Sequence, residues 1–467
     1  MITYLRLQNF KAWADSGKIQ FGPITAFFGS NSSGKTTFLQ SLLLLKQTVE
    51  SADRGRVFDM GGPASLVSLG TFNDITFRHD SERAVGIDIG WREDEPFQIR
   101  STETEERSAI AASDDLSLST RVREIRNFPV VQRVEYGLGD LRFSLTRSAS
   151  GKDEYALESN DYPLKHVPER PWLLPSPGKF YSFPDQVRAY YQNAAFLSDL
   201  ELQFENLCSR IYYLGPLRQD PARQYIWSGG RPSDVGRRGE LAVEALIASQ
   251  ADGKTNVRGY IEQEDGPRRT RLITVEEHVA SWLKELGLIH SFTVESVDDR
   301  GTIYRVQVTR SAGSTPVLLT DVGFGVSQVL PVLVLLVDVP EGSTVLLEQP
   351  EIHLHPAVQS RLADVIIEAA KVRNIQVVVE SHSEHFLTRL QRRIAERDVG
   401  RGIRLEPEDC LLYFCQTDGA ASTIDRLDLD PFGNITNWPD DFFGNPFEEA
   451  AAMNRAARNR ANDEKTG

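Results

Sequence analysis

Cysteine and long apolar runs are scarce in this sequence of 467 residues. The three cysteines, Cys208, Cys410 and Cys415, have neither the spacing of a metal site nor the pattern of a disulfide framework, as is typical of a protein in a reducing compartment. No window approaches the roughly 18 uninterrupted apolar residues of a membrane helix, and residues 1–6 lack the basic-then-apolar order of a signal peptide. The sequence therefore predicts a soluble, cytoplasmic protein without a membrane partner.

Basic residues and repeats are also few. The 52 basic and 66 acidic residues leave a formal net charge of −14, and a field of that sign repels nucleic acid and anionic membranes. Contact with DNA would need a local basic patch. No heptad repeat is visible, which argues against a long coiled-coil arm.

The strongest pattern that is present is a glycine-rich loop matching G-x-x-x-x-G-K-[ST] at every constrained position. A strand predicted at 24–28 precedes it and a helix predicted at 37–47 follows it, as a phosphate-binding loop requires. Backbone N–H groups of such a loop point at phosphate, its lysine sits between the β- and γ-phosphates of ATP, and its threonine hydroxyl binds Mg²⁺. The predicted nucleotide ligands are Gly29, Ser30, Asn31, Ser32, Ser33, Gly34, Lys35, Thr36 and Thr37, with Thr36 also a metal ligand.

The remaining chain predicts two lobes around an insertion. Alternating segments at 75–77 and 85–89 predict β-structure beside the loop, residues 101–117 are polar and acidic as in an exposed insertion, and an aromatic helical stretch at 184–204 predicts a lid or arm. Strands alternating with helices from 327 to 397 predict a mainly parallel sheet covered on both faces. The predicted divisions are an N-terminal ATPase lobe at 1–100, an insertion at 101–270, a C-terminal ATPase lobe at 271–430 and a tail with a terminal helix at 431–467.

A second set of candidate residues follows the strands of the C-terminal third. The strand predicted at 344–347 delivers the carboxylate of Glu348 at its C-terminal end, where the sheet of a phosphate loop needs an acid for Mg²⁺. The strand predicted at 375–379 leads to His382. A turn with Gly323, Gly325 and Ser327 opens the helix that precedes Glu348.

The string from Glu348 to Pro356 closely resembles the Walker B and D-loop segment of ABC-type ATPases in the OLD, RecF and SMC-like branch. The long separation between the phosphate loop and the turn at 321–328, and the Trp-Pro-x-x-Phe-Phe segment at 438–443, are similar to stand-alone bacterial AAA-family ATPases of prophages and defence islands, which lack a TOPRIM domain. The resemblance implies an α/β fold, a P-loop ABC-ATPase head with a mixed sheet, an antiparallel β subdomain and an inserted helical lid or arm.

The resemblance also implies roles for these residues. Glu348 would be the Walker B acid, His382 the switch histidine at the γ-phosphate, and the turn at 321–328 a signature loop that binds the nucleotide of a second subunit. Lys11, after Asn-Phe, resembles a basic residue that reaches the nucleotide in SMC-like heads; Arg218 recurs in such ATPases but receives no role from the sequence. The implied cofactors are ATP and Mg²⁺, and the implied partners are a second copy of the chain and a separate effector, a nuclease or toxin, in anti-phage defence.

Gln349 departs from the family pattern, because a glutamate that polarises the attacking water usually follows the Walker B acid. An amide positions water but accepts no proton, and loss of a general base commonly costs about 10²–10⁴-fold in rate. Three explanations stay open: Glu351 or another group acts instead, the protein is a slow ATPase that stays dimerised on ATP, or Gln349 is an engineered trap. We expect slow hydrolysis.

Two other functions are weighed against this one. Arg389, Arg393 and Arg397 recur at i, i+4 and i+8, as on a DNA-binding stripe of a RecF- or SMC-like ATPase in DNA repair or maintenance, although such a stripe is usually a solvated face. Asp428 and Asp430 superficially match the Asp-x-Asp of an OLD-like nuclease, but too few residues follow His382 for a full TOPRIM domain.

A metal site and a transporter are the remaining alternatives. His353, His355 and His385 invite a metal interpretation, but a D-loop at a dimer interface already explains the His-x-His. A transporter ATPase is disfavoured because no membrane-coupling region is recognisable.

Overall fold

The computed structural model describes residues 1–80, 82–100, 109–149, 152–253, 256–263, 266–396, 403–439, 453, 455 and 456, with backbone alone at 256–263 and 266–271. Strands and helices are numbered along the chain. The largest sheet has nine strands, antiparallel throughout, in the order β10-β9-β8-β7-β6-β5-β1-β2 with β3 also pairing β1. Its strands are β1 Ile2–Phe10, β2 Trp13–Asp15, β3 Ile19–Gln20, β5 Val85–Arg100, β6 Ala109–Ile125, β7 Phe128–Leu138, β8 Leu141–Arg147, β9 Glu154–Ser159 and β10 Leu174–Pro175.

A six-stranded sheet forms the centre of the molecule. Its strands are β4 Ile24–Gly29, β11 Ile211–Leu214, β18 Thr344–Glu348, β19 Gln376–Glu380, β20 Cys410–Thr417 and β21 Ser422–Leu427. Their order is β11-β18-β19-β4-β20-β21, and every pair is parallel except β20 with β21. The C-terminal ends of five parallel strands therefore lie along one edge, where ligands bind in open α/β sheets.

Two smaller sheets and nine helices complete the described residues. The four-stranded sheet contains β12 Tyr225–Ile226, β15 Ser291–Ser296, β16 Ile303–Thr309 and β17 Val317–Leu318, and a hairpin joins β13 Asn256–Gln263 to β14 Gly266–Thr274. The helices are α1 Lys35–Glu50, α2 Phe72–Ile75, α3 Val187–Tyr190, α4 Leu197–Ser209, α5 Ala242–Asp252, α6 Val275–Glu285, α7 Phe324–Asp338, α8 Pro356–Val372 and α9 Glu384–Glu396. Three short 3₁₀ turns lie at Phe77–His79, Leu319–Asp321 and Pro407–Asp409.

The central sheet is buried on both faces, which explains why its strands are continuous apolar runs. In β18, Val345 and Leu347 join one apolar cluster with α7 and α8, while Leu346 between them joins another with α1 and the nine-stranded sheet. The helix α1 therefore lies between two sheets and is apolar nearly all round, as predicted. The predicted α/β class, with a mixed sheet and an antiparallel β subdomain, is confirmed.

Three sequence predictions differ from the structure or fall outside it. The irregular insertion predicted at 101–117 is wrong for residues 109–117, because they form the first half of β6 and pair with β5; residues 101–108 lie outside the described residues. The strand predicted at 75–77 is also wrong, because Thr71 and Asp74 form a capping box that starts α2. The segment at 438–443 and the terminal helix predicted from Asn445 lie almost wholly outside the described residues.

The stretch predicted as a lid or arm contains the short α3 and the longer α4. Leu200 and Phe204 of α4 are fully buried, and α4 packs against α1. This part of the insertion belongs to the core beside the phosphate loop. Among the described residues, no helix is both long enough and apolar enough to cross a membrane.

Candidate active site

The glycine-rich loop joins β4 to α1 and leaves the central sheet at its C-terminal edge. Gly29 has a φ of 136°, and a Cβ there would lie 2.0 Å from the carbonyl oxygen of Cys415, so only glycine fits beside β20. Gly34 has a φ of 90° immediately before α1 begins. The chain thus turns sharply and presents the N-terminus of a 16-residue helix, which favours an anion.

Lys35 is 3% exposed and folds back over the loop. Its Nζ donates hydrogen bonds to the carbonyl oxygens of Gly29, at 3.1 Å, and Ser30, at 2.6 Å. Burial lowers the pKa of this ammonium group, and the charges of Glu380 and Glu351 oppose that change. A buried ammonium bound by neutral carbonyls and by the Ser33 hydroxyl, at 3.5 Å, and flanked by acids fits an ATP phosphate as its counter-ion.

Thr36 points along the sheet edge to the next strand. Its Oγ1 donates a hydrogen bond of 2.9 Å to Oε1 of Glu380, the last residue of β19. Glu380 is 2% exposed, and its Oε2 has no hydrogen-bond partner in the described structure. The sequence analysis did not select Glu380, although it ends an apolar strand in the same way as Glu348.

Glu348 lies one strand further from the loop. It is opposite Glu380 in the parallel register of β18 and β19, and its Oε2 accepts a hydrogen bond of 2.7 Å from the Tyr213 hydroxyl. Burial raises the pKa of both carboxyl groups; that of Glu380 rises to about 7, with the negative charge of Glu348 as the next cause. The two acids therefore destabilise each other when no cation lies between them.

These residues fit Mg²⁺, which would supply positive charge at the β- and γ-phosphates. Thr36 and Glu380 would hold the ion, with Glu348 beside them, and the unpartnered oxygen of Glu380 is the acceptor that a hydrated cation satisfies. Within the described part of the chain no cluster of three or more His, Cys, Asp or Glu side chains could hold a metal by itself.

Glu351 orients residues 381–382, the switch segment, which contains the predicted switch histidine. Its Oε1 accepts hydrogen bonds from the Ser381 hydroxyl, at 2.8 Å, and from the backbone N–H of His382, at 2.7 Å. Partial burial and the charge of Lys35 lower the pKa of His382, while the backbone of Gly29 acts in the opposite direction. His382 is thus held beside the phosphate loop, where the resemblance placed it.

Gln349 has a φ of 44°, and its backbone N–H donates a 2.8 Å hydrogen bond to the carbonyl oxygen of Glu380. The residue therefore links β18 to β19 at the edge of the sheet. Glu351, the alternative base, already uses one oxygen to hold Ser381 and His382. Position 349 therefore holds a neutral amide, where the family resemblance implies a glutamate that accepts a proton.

Arg218 follows β11 in a turn anchored by the segment at 237–238. Its guanidinium is 6% exposed, and none of its three nitrogens has a hydrogen-bond partner in the described structure. Burial lowers its pKa to about 10, and the charges of Tyr213, Glu348 and Glu351 oppose the change. Arg218 is therefore charged at neutral pH and lies in the electrostatic neighbourhood of the acids at the sheet edge.

Lys11 lies beside the phosphate-loop helix, since its Nζ donates a hydrogen bond to Oε1 of Gln40 on α1. Its φ is 51°, and burial lowers its pKa. Trp13, two residues later, donates from Nε1 to the Gly34 carbonyl oxygen at 3.2 Å. The segment after β1 thus contacts both the loop and its helix.

The predicted signature turn lies at the start of α7. Gly323 and Phe324 are exposed there, whereas Ser327 is buried and its hydroxyl donates a 2.9 Å hydrogen bond to the carbonyl oxygen of Phe324. The surface of this turn is therefore made by backbone of the first helical turn and by the Phe324 ring. The Ser327 hydroxyl is directed into its own helix.

The other candidate sites have structural explanations. Arg389 and Arg393 both form ion pairs with the buried Asp364, so this stripe is no free basic surface; Arg397 lies outside the described residues. Asp430 accepts hydrogen bonds from the backbone of residues 432 and 434 and shapes a turn. His355 caps α8 through its Nδ1.

Comparison with known proteins agrees with this geometry. Residues 4–128, which hold the phosphate loop, match a family model described as "AAA domain". Residues 295–388, which hold the signature turn, Glu348 and His382, match one described as "AAA domain, putative AbiEii toxin, Type IV TA system". The chain carries an AAA-family ATPase domain. The predicted AAA-family ATPase is confirmed at this level, and the ABC-type head and the defence-island subtype stay predictions.

The other comparisons identify no function for this ATPase. Residues 405–451 match a model described as "Protein of unknown function (DUF3696)", and no curated protein matches the chain. Among solved structures, an Smc head bound to the C-winged helix domain of ScpA is 14% identical with a TM-score of 0.44, covering 92% of this chain and 98% of that one. The SMC head domain from Thermotoga maritima is 11% identical with a TM-score of 0.41, covering 91% and 98%. These scores are too low to carry an argument.

Proposed function

We propose that this ATPase is a slow, Mg-ATP-dependent switch that pairs head to head and controls a separate effector. The observation that carries the proposal is Gln349, which places an amide where a general base is expected, in a site that otherwise holds every group needed to bind ATP. Such a site retains ATP longer than it would with a glutamate at this position.

Pairing is supported by the surface around the start of α7. The Phe324 ring, 62% exposed, contacts the His353 ring edge to face with centroids 6.1 Å apart. The signature turn and the D-loop therefore form one continuous surface, which offers exposed backbone N–H groups at a helix N-terminus and an aromatic anchor to a second subunit.

The proposed effector is a separate protein. The family resemblance implies a nuclease or toxin as effector in bacterial anti-phage defence, and one matching family model is described with a toxin of a type IV toxin–antitoxin system. Arg389 and Arg393 are paired with Asp364, so these two described residues of the basic stripe do not support action on DNA.

The test combines mass and turnover. With Mg-ATP the purified protein should show twice its monomer mass of 52.4 kDa by light scattering, but not with Mg-ADP or in the variant Lys35→Ala. Gln349→Glu should raise the turnover of ATP by at least about tenfold, because it restores a proton acceptor. A wild-type protein that turns over rapidly as a monomer, unaffected by Lys35→Ala, would contradict the proposal.

A further inference from the structure

The guanidinium of Arg218 is a buried cation without a hydrogen-bond partner, beside a site that binds an anion. It is 6% exposed, and its Nε, Nη1 and Nη2 are all unpartnered. Arginine presents five N–H donors in a planar fork, and leaving them unsatisfied away from water is costly. A ligand with oxygen acceptors that reaches the guanidinium would satisfy these donors.

The position of Arg218 is fixed by its backbone. The turn that carries it is held at both ends, because Gly215 N donates to the Arg237 carbonyl oxygen at 2.8 Å and Gln219 N donates to that of Arg238 at 2.9 Å. The strand before the turn, β11, runs parallel to β18, with Leu214 opposite Leu347. Arg218 therefore lies beyond the same sheet edge as the carboxyl group of Glu348.

The charges along this edge are positive at its two ends and negative between them. Lys35 follows β4, Glu380 ends β19, Glu348 ends β18 and Arg218 follows β11, in the spatial order of the strands. If the phosphate groups of a bound ATP start in the glycine-rich loop and extend along this edge, Lys35 lies at the end of the row that is in the loop. Arg218 is the cation on the far side of the acids, and only the terminal phosphate could extend towards it.

We propose that Arg218 binds the γ-phosphate of ATP held in the same subunit, so that the site discriminates ATP from ADP without an arginine from a partner. The bidentate fork suits phosphate oxygens. This inference rests on the proposed ATP-binding function and specifies one contact within it. The opposing interpretation is that Arg218 is only a counter-ion for Glu348 and Glu351.

The first experiment measures nucleotide discrimination in the full-length protein by calorimetry. The probes are Mg-ADP and the Mg²⁺ complex of the β,γ-imido analogue of ATP. Arg218→Met should weaken binding of the analogue about 10–100-fold, since a charge-assisted contact is lost, and should change ADP binding by less than about threefold. Arg300→Met, at an exposed position between β15 and β16, is the matched control and should change neither.

The second experiment measures thermal unfolding without nucleotide. Because the Arg218 side chain makes no hydrogen bond to any described residue, Arg218→Met should leave the Tm unchanged or raise it. A fall in Tm with unchanged discrimination would identify a counter-ion and overturn the inference. Unchanged discrimination at any Tm would also overturn it and leave the proposed function standing. A wild-type protein that binds neither probe would overturn the proposed function itself.

Discussion

The carboxyl group of Glu380 should destabilise the nucleotide-free protein at alkaline pH, and Glu380→Gln should remove that effect. Glutamine keeps the shape of the side chain and an oxygen that accepts the hydrogen bond from Thr36. What it removes is a negative charge that is 2% exposed and lies beside Glu348. The substitution therefore isolates the electrostatic cost of the site without creating a cavity.

The magnitude follows from the raised pKa. A pKa of about 7, against the ordinary value of 4.5 for a glutamate, corresponds to about 3 kcal/mol. Below pH 4.5 the carboxyl is protonated in both folded and unfolded protein. Between 4.5 and about 7 only the unfolded chain releases its proton, so stability falls as pH rises, and above pH 7 the whole cost is present.

The assay is urea unfolding in EDTA, without nucleotide, at pH 5 and pH 8. Glu380→Gln should raise the free energy of unfolding by up to about 3 kcal/mol at pH 8 and by much less at pH 5. Glu384→Gln, at an exposed position on α9, is the control and should keep the free energy of unfolding close to that of the wild type at each pH. A Glu380→Gln protein that is less stable than the wild type at pH 8, or equally shifted at both pH values, would refute the reasoning.

Two further predictions concern Phe324 and Glu351. Phe324→Asp should prevent ATP-dependent pairing in light scattering, since it puts a charge on the exposed turn at the start of α7. The control Phe432→Asp, at an exposed phenylalanine in the turn after β21, should leave pairing intact. Glu351→Ala should lower the free energy of unfolding by about 2–4 kcal/mol in urea, because the hydroxyl of Ser381 and the N–H of His382 lose their acceptor. Glu351→Gln, which keeps an acceptor oxygen, should cost less than half as much; equal losses would show that the charge of Glu351, and not its hydrogen bonds, holds the segment.

Much of the central sheet could be predicted from the sequence because its strands are buried on both faces. The predicted strand before the loop became β4, and those at 344–347 and 375–379 became β18 and β19, each within a residue or two. The motif then fixed the position of Lys35 and Thr36 at the edge of that sheet. Short-range apolar patterns and a rigid motif carry this information locally.

One error, at 75–77, came from a local capping box that was overlooked, and the other occurred where pairing with another strand decides the structure. Residues 109–117 have no strand periodicity of their own and become a strand because β5 pairs with them. Glu380 had a readable signal, since it ends an apolar strand next to the strand of the phosphate loop. The burial of Arg218 had none, because it depends on the segment at 237–238 closing over a turn that is distant in sequence.

The arrangement of acids explains why the site should hold ATP longer than it would with a base at position 349. Glu380 is hydrogen-bonded to Thr36, Glu348 to Tyr213, and Glu351 to the switch segment, so each buried acid already has a positioning contact. A base that activates water must face the γ-phosphate; Glu351 and Glu380 each keep one oxygen without a partner in the described structure, but the resemblance to ABC-type ATPases implies that the base stands at position 349, which is Gln349 here. Because its backbone is tied to β19, a glutamate there would inherit the same placement. We therefore expect Gln349→Glu to raise the rate of ATP hydrolysis without a rearrangement of the sheet.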